Sequence, residues 1–107
     1  MMDALIAKHP DDSNYLFEAA QYYAKRARYD KTIDYYERSF EAETRRPRFI
    51  DALDAIADVY LIMGEYQKAA DTYDRIIECQ QKEWGMTEEF ELIDTQKAKE
   101  RVLAKIR

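Results

Sequence analysis

This 107-residue chain should fold as an all-α stack of helix pairs. Three observations lead there. Displaced by 37 residues, the sequence overlies itself: Leu16, Ala20, Tyr23, Tyr29, Lys31, Asp34, Tyr36, Arg38 and Glu41 return as Leu53, Ala57, Tyr60, Tyr66, Lys68, Asp71, Tyr73, Arg75 and Glu78. A period of about 20 to 50 residues marks supersecondary units that bury their apolar faces only by stacking. Two Gly and two Pro, beside 36% charged residues, leave little material for turns and much for helices. The apolar residues then recur at steps of three and four, not two.

The elements follow in order. Asp11, Asp12 and Ser13 offer N-cap side chains, and Leu16, Ala19, Ala20 and Tyr23 trace one helical face as far as residues 26–28. A second helix restarts at Tyr29 and Asp30, carries Ile33, Tyr36 and Phe40, and closes at residues 43–47. Pro47 suits the first turn of a third helix, where its missing N–H would be unpaired anyway. That helix presents Leu53, Ile56, Ala57 and Tyr60, and Gly64 ends it as a left-handed cap. A fourth helix over residues 66–83 buries Ala69, Ala70, Tyr73, Ile76 and Ile77, and Trp84 and Gly85 stop it. Thr87 is the expected N-cap of the last helix, with Glu88 and Glu89 at its positive end. Its apolar residues gather at the ends (Phe90, Leu92, Ile93; Val102, Leu103, Ile106), and residues 94–101 are polar nearly all round, as in a solvated cover about 30 Å long. Removing residues 87–107 should bare the side of the fourth helix bearing Ile76 and Ile77. Trp84 is expected as a wedge beneath that cover.

Composition excludes several functions. A net charge of -5 and a pI near 4.9 argue against a nucleic-acid partner, which needs a basic face to displace counterions. No apolar run approaches the roughly 18 residues of a membrane span, and residues 1–10 lack the basic and apolar regions of a signal peptide. A lone cysteine, Cys79, makes no internal disulfide, so a reduced, cytoplasmic setting is expected. One His (His9, before a proline) and one Cys form no zinc ligand set and no nucleophile–base pair. The expectation is a protein without metal, cofactor or catalytic residues, and not an enzyme.

Leu53, Ile56, Ala57, Tyr60, Gly64, Tyr66, Ala69 and Tyr73 resemble the tetratricopeptide repeat pattern of a large residue, an apolar–small pair, an aromatic, and an alanine followed by another aromatic. In the first unit Leu16, Ala19, Ala20, Tyr23, Tyr29 and Tyr36 match, while Ala27 stands where Gly is usual and Thr32 where Ala is usual. The resemblance spans residues 2–83 and implies a right-handed superhelix of antiparallel helix pairs forming a single domain. Within it, residues 1–10 end a preceding partial repeat, 12–46 form repeat one, 47–83 repeat two, and 87–107 a capping helix. Leu5 and Ile6 would be the tail of the preceding unit and Pro10 its closing proline. Two full units are fewer than the three or so usually needed for independent stability, so either the cap and the N-terminal half-unit suffice, or the chain is the C-terminal portion of a longer array, or it self-associates. A family repeat of about 34 residues leaves three extra in the linker at 44–48.

The resemblance also implies a function: a scaffold whose concave groove holds a protein or peptide. Asn14, Phe17, Gln21, Ala24 and Lys25 would face that groove from one unit, and Asp51, Asp54, Asp58, Leu61 and Ile62 from the next. Phe17 with Gln21, and Asp54 with Asp58, replace the Lys–Asn clamp that one subfamily uses for terminal carboxylates, which argues against that ligand. Asp51, Asp54 and Asp58, at i, i+3 and i+7, are either a docking stripe for a basic segment or a solvated acidic face. Arg45, Arg46 and Arg48 either attract an acidic partner or pair locally beside Glu41 and Glu43. Six of the nine tyrosines occupy repeat positions, which leaves Tyr15, Tyr22 and Tyr35 outside the pattern. A different function is self-association into a homo-oligomer through the open N-terminal end or the last helix.

Overall fold

A computed structural model describes residues 6–106; Leu5, expected in the tail of a preceding helix, lies outside the described residues. Every regular element among the described residues is helical: α1 (Ser13–Ala24), α2 (Tyr29–Glu41), α3 (Asp51–Met63), α4 (Tyr66–Lys82) and α5 (Phe90–Ile106), preceded by a helical segment at 6–8. Each helix packs on its neighbours in sequence, α1 on α2, α2 on α3, α3 on α4 and α4 on α5. The molecule measures 41 × 31 × 15 Å, and its short axis has room for two layers of helices at the usual spacing of about 8–10 Å. Among the described residues no helix is long and apolar enough to cross a membrane.

The Asp12 carboxylate caps α1, accepting from the backbone N–H of Asn14 at 2.9 Å and of Tyr15 at 3.3 Å. The start of α1 is then tied to the end of α2 by a reciprocal clasp: the Ser13 hydroxyl donates to the Ser39 carbonyl at 3.0 Å, and the Ser39 hydroxyl to the Ser13 carbonyl at 2.9 Å. Helix α1 stops at Ala24, short of the expected 26–28, because Ala27 turns the chain with φ 56°. Arg28 N–H bonds the Tyr23 carbonyl and Ala27 N–H the Ala24 carbonyl, the two bonds of a Schellman motif. Helix α3 ends the same way 37 residues on, with Glu65 N–H on Tyr60 and Gly64 N–H on Leu61, around Gly64 at φ 75°. The sequence echo is therefore also an echo of backbone hydrogen bonds.

The central core joins α1 to α4: Ala20, Tyr36, Phe40, Leu53, Ile56, Ile76 and Cys79 are all buried in one cluster. Ile6 covers the N-terminal end against Leu16 and Ala19. At the other end Val102 of α5 sits on Ala69 and Ala70, and Lys99 pairs with Asp74. This corrects the sequence reading of the cover. Ile76 belongs to the central core, and α5 rests on the alanine face of α4 and on Gln80, whose Nε2 donates to the Glu91 carbonyl at 3.4 Å.

The linker differs most from expectation. Pro47, preceded by a cis peptide bond, lies before α3 and not in its first turn, since the helix starts only at Asp51. Its three arginines are all engaged, Arg45 and Arg46 locally and Arg48 by the end of α4. Arg45 grips buried Glu43 through Nε and Nη2, both at 2.7 Å; Arg46 donates to the Glu43 and Arg45 carbonyls; and Arg48 forks onto Glu83, with Nε at 2.9 Å from Oε2. Trp84 is drawn to this linker: its Nε1 donates to the Arg48 carbonyl at 2.7 Å and its ring lies against Phe49, so it is a linker prop and not a wedge under α5. Thr87 does not cap α5. Glu89 folds its own carboxylate back to accept from the N–H groups of Thr87 and Glu88, and its carbonyl takes the first helical bond, from Ile93. The three tyrosines outside the repeat pattern are packed as well: Tyr15 stacks on His9, Tyr22 lies under Arg26, and Tyr35 stacks on Tyr23.

Candidate interaction groove

Two clefts open where α1, α3 and α5 meet the other layer. The first, of about 520 Å³, lies between α1 and α3. Asn14, Phe17, Glu18 and Gln21 line it from α1, Asp51 and Ala52 from α3, and Arg45 and Phe49 from the linker. Its floor is the buried end of α2, Ser39 and Phe40. Phe17 meets Tyr36 edge to face at 5.1 Å, which fixes the ring that walls the cleft. Arg45 stacks its guanidinium over Phe49, 3.8 Å from the ring centre, while its fork holds Glu43. That bond holds the Glu43 carboxyl below its ordinary range. The pair thus neutralises itself at the edge of the cleft.

The second cleft, of about 510 Å³, lies between α3 and α5. Ile50 and Asp54 line one side and Glu91, Asp94, Thr95, Ala98 and Arg101 the other, over a floor of Tyr73 and Gln80 from α4. Asp54 is open to water along the groove yet crowded by protein behind. The loss of hydration raises its carboxyl from 3.8 to about 6, with the Asp58 and Asp51 carboxylates adding to the effect. Burial, and then the Asp58 charge, also raise the Tyr36 and Tyr73 phenols. Among the described residues neither Asp54 nor Asp94 has an ion pair or hydrogen bond through its side chain.

Of the residues expected in a groove, Asn14, Phe17, Gln21 and Asp51 meet in the first cleft and Asp54 lies in the second. Asp58 is exposed and, like Lys25 and Ala24, lines neither cleft. Leu61 packs half-buried against the Ala69, Ala70 and Val102 cluster, and Ile62 is 66% exposed. The contribution of α5 was missed, although a signal for it was present: Glu91, Asp94, Thr95, Ala98 and Arg101 fall at i, i+3, i+4, i+7 and i+10 and so share one helical side. Phe49 and Arg45 had no such signal, because a linker has no periodicity to read.

No protein-family model matches the chain, and no curated protein matches it significantly.

Proposed function

We propose that this chain is a tetratricopeptide-like interaction module that binds a protein or peptide segment across α1, α3 and α5 and carries out no chemistry of its own. The observation behind this reading is the pair of adjoining clefts, each floored by a helix of the other layer and both sharing α3 as a wall. The repeated Schellman closures at Tyr23 and Tyr60 support the superhelical pairing of the repeats. Unpaired carboxylates in the second cleft, with a net charge of -5, favour a basic segment over a nucleic acid. Cys79, a buried free thiol, suits a cytoplasmic setting.

The test is a selection of random twelve-residue peptides displayed on phage, run in parallel on the wild type and on a Phe17→Ser/Asp54→Arg variant. The wild type should enrich peptides containing Lys or Arg, and those peptides should shift NMR resonances on α1, α3 and α5. Equal enrichment on both proteins would sink the reading. Phe90, 74% exposed, and Ile93 three residues on favour a second function, self-association through α5. Mass measured by light scattering should then rise with concentration and revert in a Phe90→Ser/Ile93→Ser variant; a constant monomer mass rules it out.

A further inference from the structure

Helix α5 ends the stack with one side open, and that side is complementary to a copy of itself. We propose that two molecules pair along this side of α5, antiparallel about a two-fold axis. The inference rests on the self-association reading above and adds to it the orientation and register of the second copy.

The side turned to α4 is marked by its contacts. Leu92 and Val102 are buried, Val102 against Ala69 and Ala70, and Lys99 pairs with Asp74. Away from them Phe90, Ile93, Lys97, Glu100, Arg101 and Ala104 fall at i, i+3, i+7, i+10, i+11 and i+14, and all six are exposed. That spacing makes one continuous stripe. Among the described residues Lys97, Glu100 and Arg101 have no ion pair within the chain. The stripe thus sets apolar anchors among charges of both signs that nothing in the same molecule neutralises.

The charges select the partner. Residues 88–107 hold five acidic and five basic side chains, so the net charge of -5 lies wholly in residues 1–87, and two copies approach with least repulsion through α5. The charges are also sorted: four of these acids precede residue 95, and all five bases follow residue 96. Sorting in this sense alone would only complement the helix dipole. Joined to exposed Phe90 and Ile93 near one end and small Ala104 near the other, it makes α5 complementary to itself in one direction. Parallel copies would set acid on acid and base on base; antiparallel copies set each acidic half on a basic one.

Two-fold symmetry narrows the register, because residues level with each other lie equally far from the axis. With the axis between residues 98 and 99, Lys97 comes level with Glu100 of the second copy, and Ile93 with its Ala104, a large side chain over a small one. An axis at residue 97, 98 or 99 would instead bring Lys97 level with Lys97, Lys99 or Arg101. An axis between 97 and 98 would bring Ile93 level with Val102, which already faces α4. Helix α5 has 17 residues and is about 25 Å long, and a contact one helix wide is small beside a standard interface. The dimer is therefore a weak one that forms as concentration rises.

The experiment is sedimentation equilibrium on the full chain, followed by distances between nitroxide labels. Lys97→Glu and Glu100→Lys should each weaken the dimer about tenfold, by turning two attractive pairs into repulsive ones. An equimolar mixture of the two variants should restore it, because every level pair is then opposite in sign. Both positions are exposed, and melting curves check that the variants fold. For the orientation, a label is carried by Glu88→Cys in a Cys79→Ala or Cys79→Ser background, whichever keeps the wild-type melting curve. Pulsed electron spin resonance should give about 30 Å between the two labels of a dimer, against about 10 Å for parallel copies. A mixture no tighter than its components, or labels about 10 Å apart, overturns the inference and leaves self-association through α5 standing. A monomer mass that stays constant up to millimolar protein overturns both.

Discussion

Ala27 and Gly64 hold equivalent places in the two repeats, and both adopt a positive φ, 56° and 75°. A left-handed conformation costs a residue with a Cβ about 1–2 kcal/mol, so the first repeat carries strain that the second avoids. Ala27→Gly should stabilise the protein by about 0.5–1 kcal/mol, the gain being trimmed by the greater freedom of glycine in the unfolded chain. A Cβ on Gly64 meets nothing within 4 Å, so Gly64→Ala should cost about 1 kcal/mol for conformation alone. Urea titrations of both variants check the pair; a stabilising Gly64→Ala would refute it. Asp54 is the second residue with a measurable consequence. Its folded pKa, about 6, lies above the ordinary 3.8, so protonated Asp54 favours the fold and this contribution is present below pH 3.8 and lost as pH rises through 6. Asp54→Asn should therefore be more stable than the wild type at pH 7.5, by about 1 kcal/mol after discounting for its open side, and equal to it at pH 4. Thermal melts across that range decide it.

Helices were legible where their punctuation is chemical and obscure where it is geometric. Gly64 announced the end of α3; Ala27 does the same work without glycine, so α1 was read too long. The start of α5 hid in the back-folded Glu89 carboxylate, a conformation that no residue type encodes, while Thr87 had the better cap chemistry on paper. The linker is held by Arg45 on Glu43, by Arg46 on two backbone carbonyls, and by Arg48 and Trp84, whose partnerships depend on where α4 ends. Arg48 and Glu83 are the pin of that arrangement. The Arg48 fork holds the Glu83 carboxyl at about 2, below the ordinary 4.5, so its stabilisation is present above pH 4.5 and fades as pH falls toward 2. Glu83→Gln should lose about 1 kcal/mol at pH 7 and nothing at pH 2. It should also redden and quench Trp84 fluorescence as the linker loosens, and an unchanged emission spectrum would show that the ion pair does not set the linker.

At the scale of the molecule, the 37-residue echo conveyed the all-helical stack and the order of packing, because periodicity survives in sequence. What it hid was the groove's second half. The polar middle of α5 reads as a solvated cover, and only its position over Gln80 and Tyr73 turns Glu91 and Asp94 into cleft walls. Deleting residues 87–107 should uncover Ala69, Ala70 and Gln80 on α4, and light scattering should show more association than for the full chain at the same concentration. A monomeric, equally stable truncation would make α5 a dispensable tail.

Helix α3 is the one element that walls both clefts. A segment bound along α3, as proposed, would be tethered by its contact in one cleft over the other, and its second contact would be no longer a collision but a closure within the complex. Such tethering substitutes an effective concentration of about millimolar for the partner's own concentration. Two contacts too feeble to be seen alone can thus act together as a recognisable whole, and cutting the segment between them should abolish binding that neither half sustains.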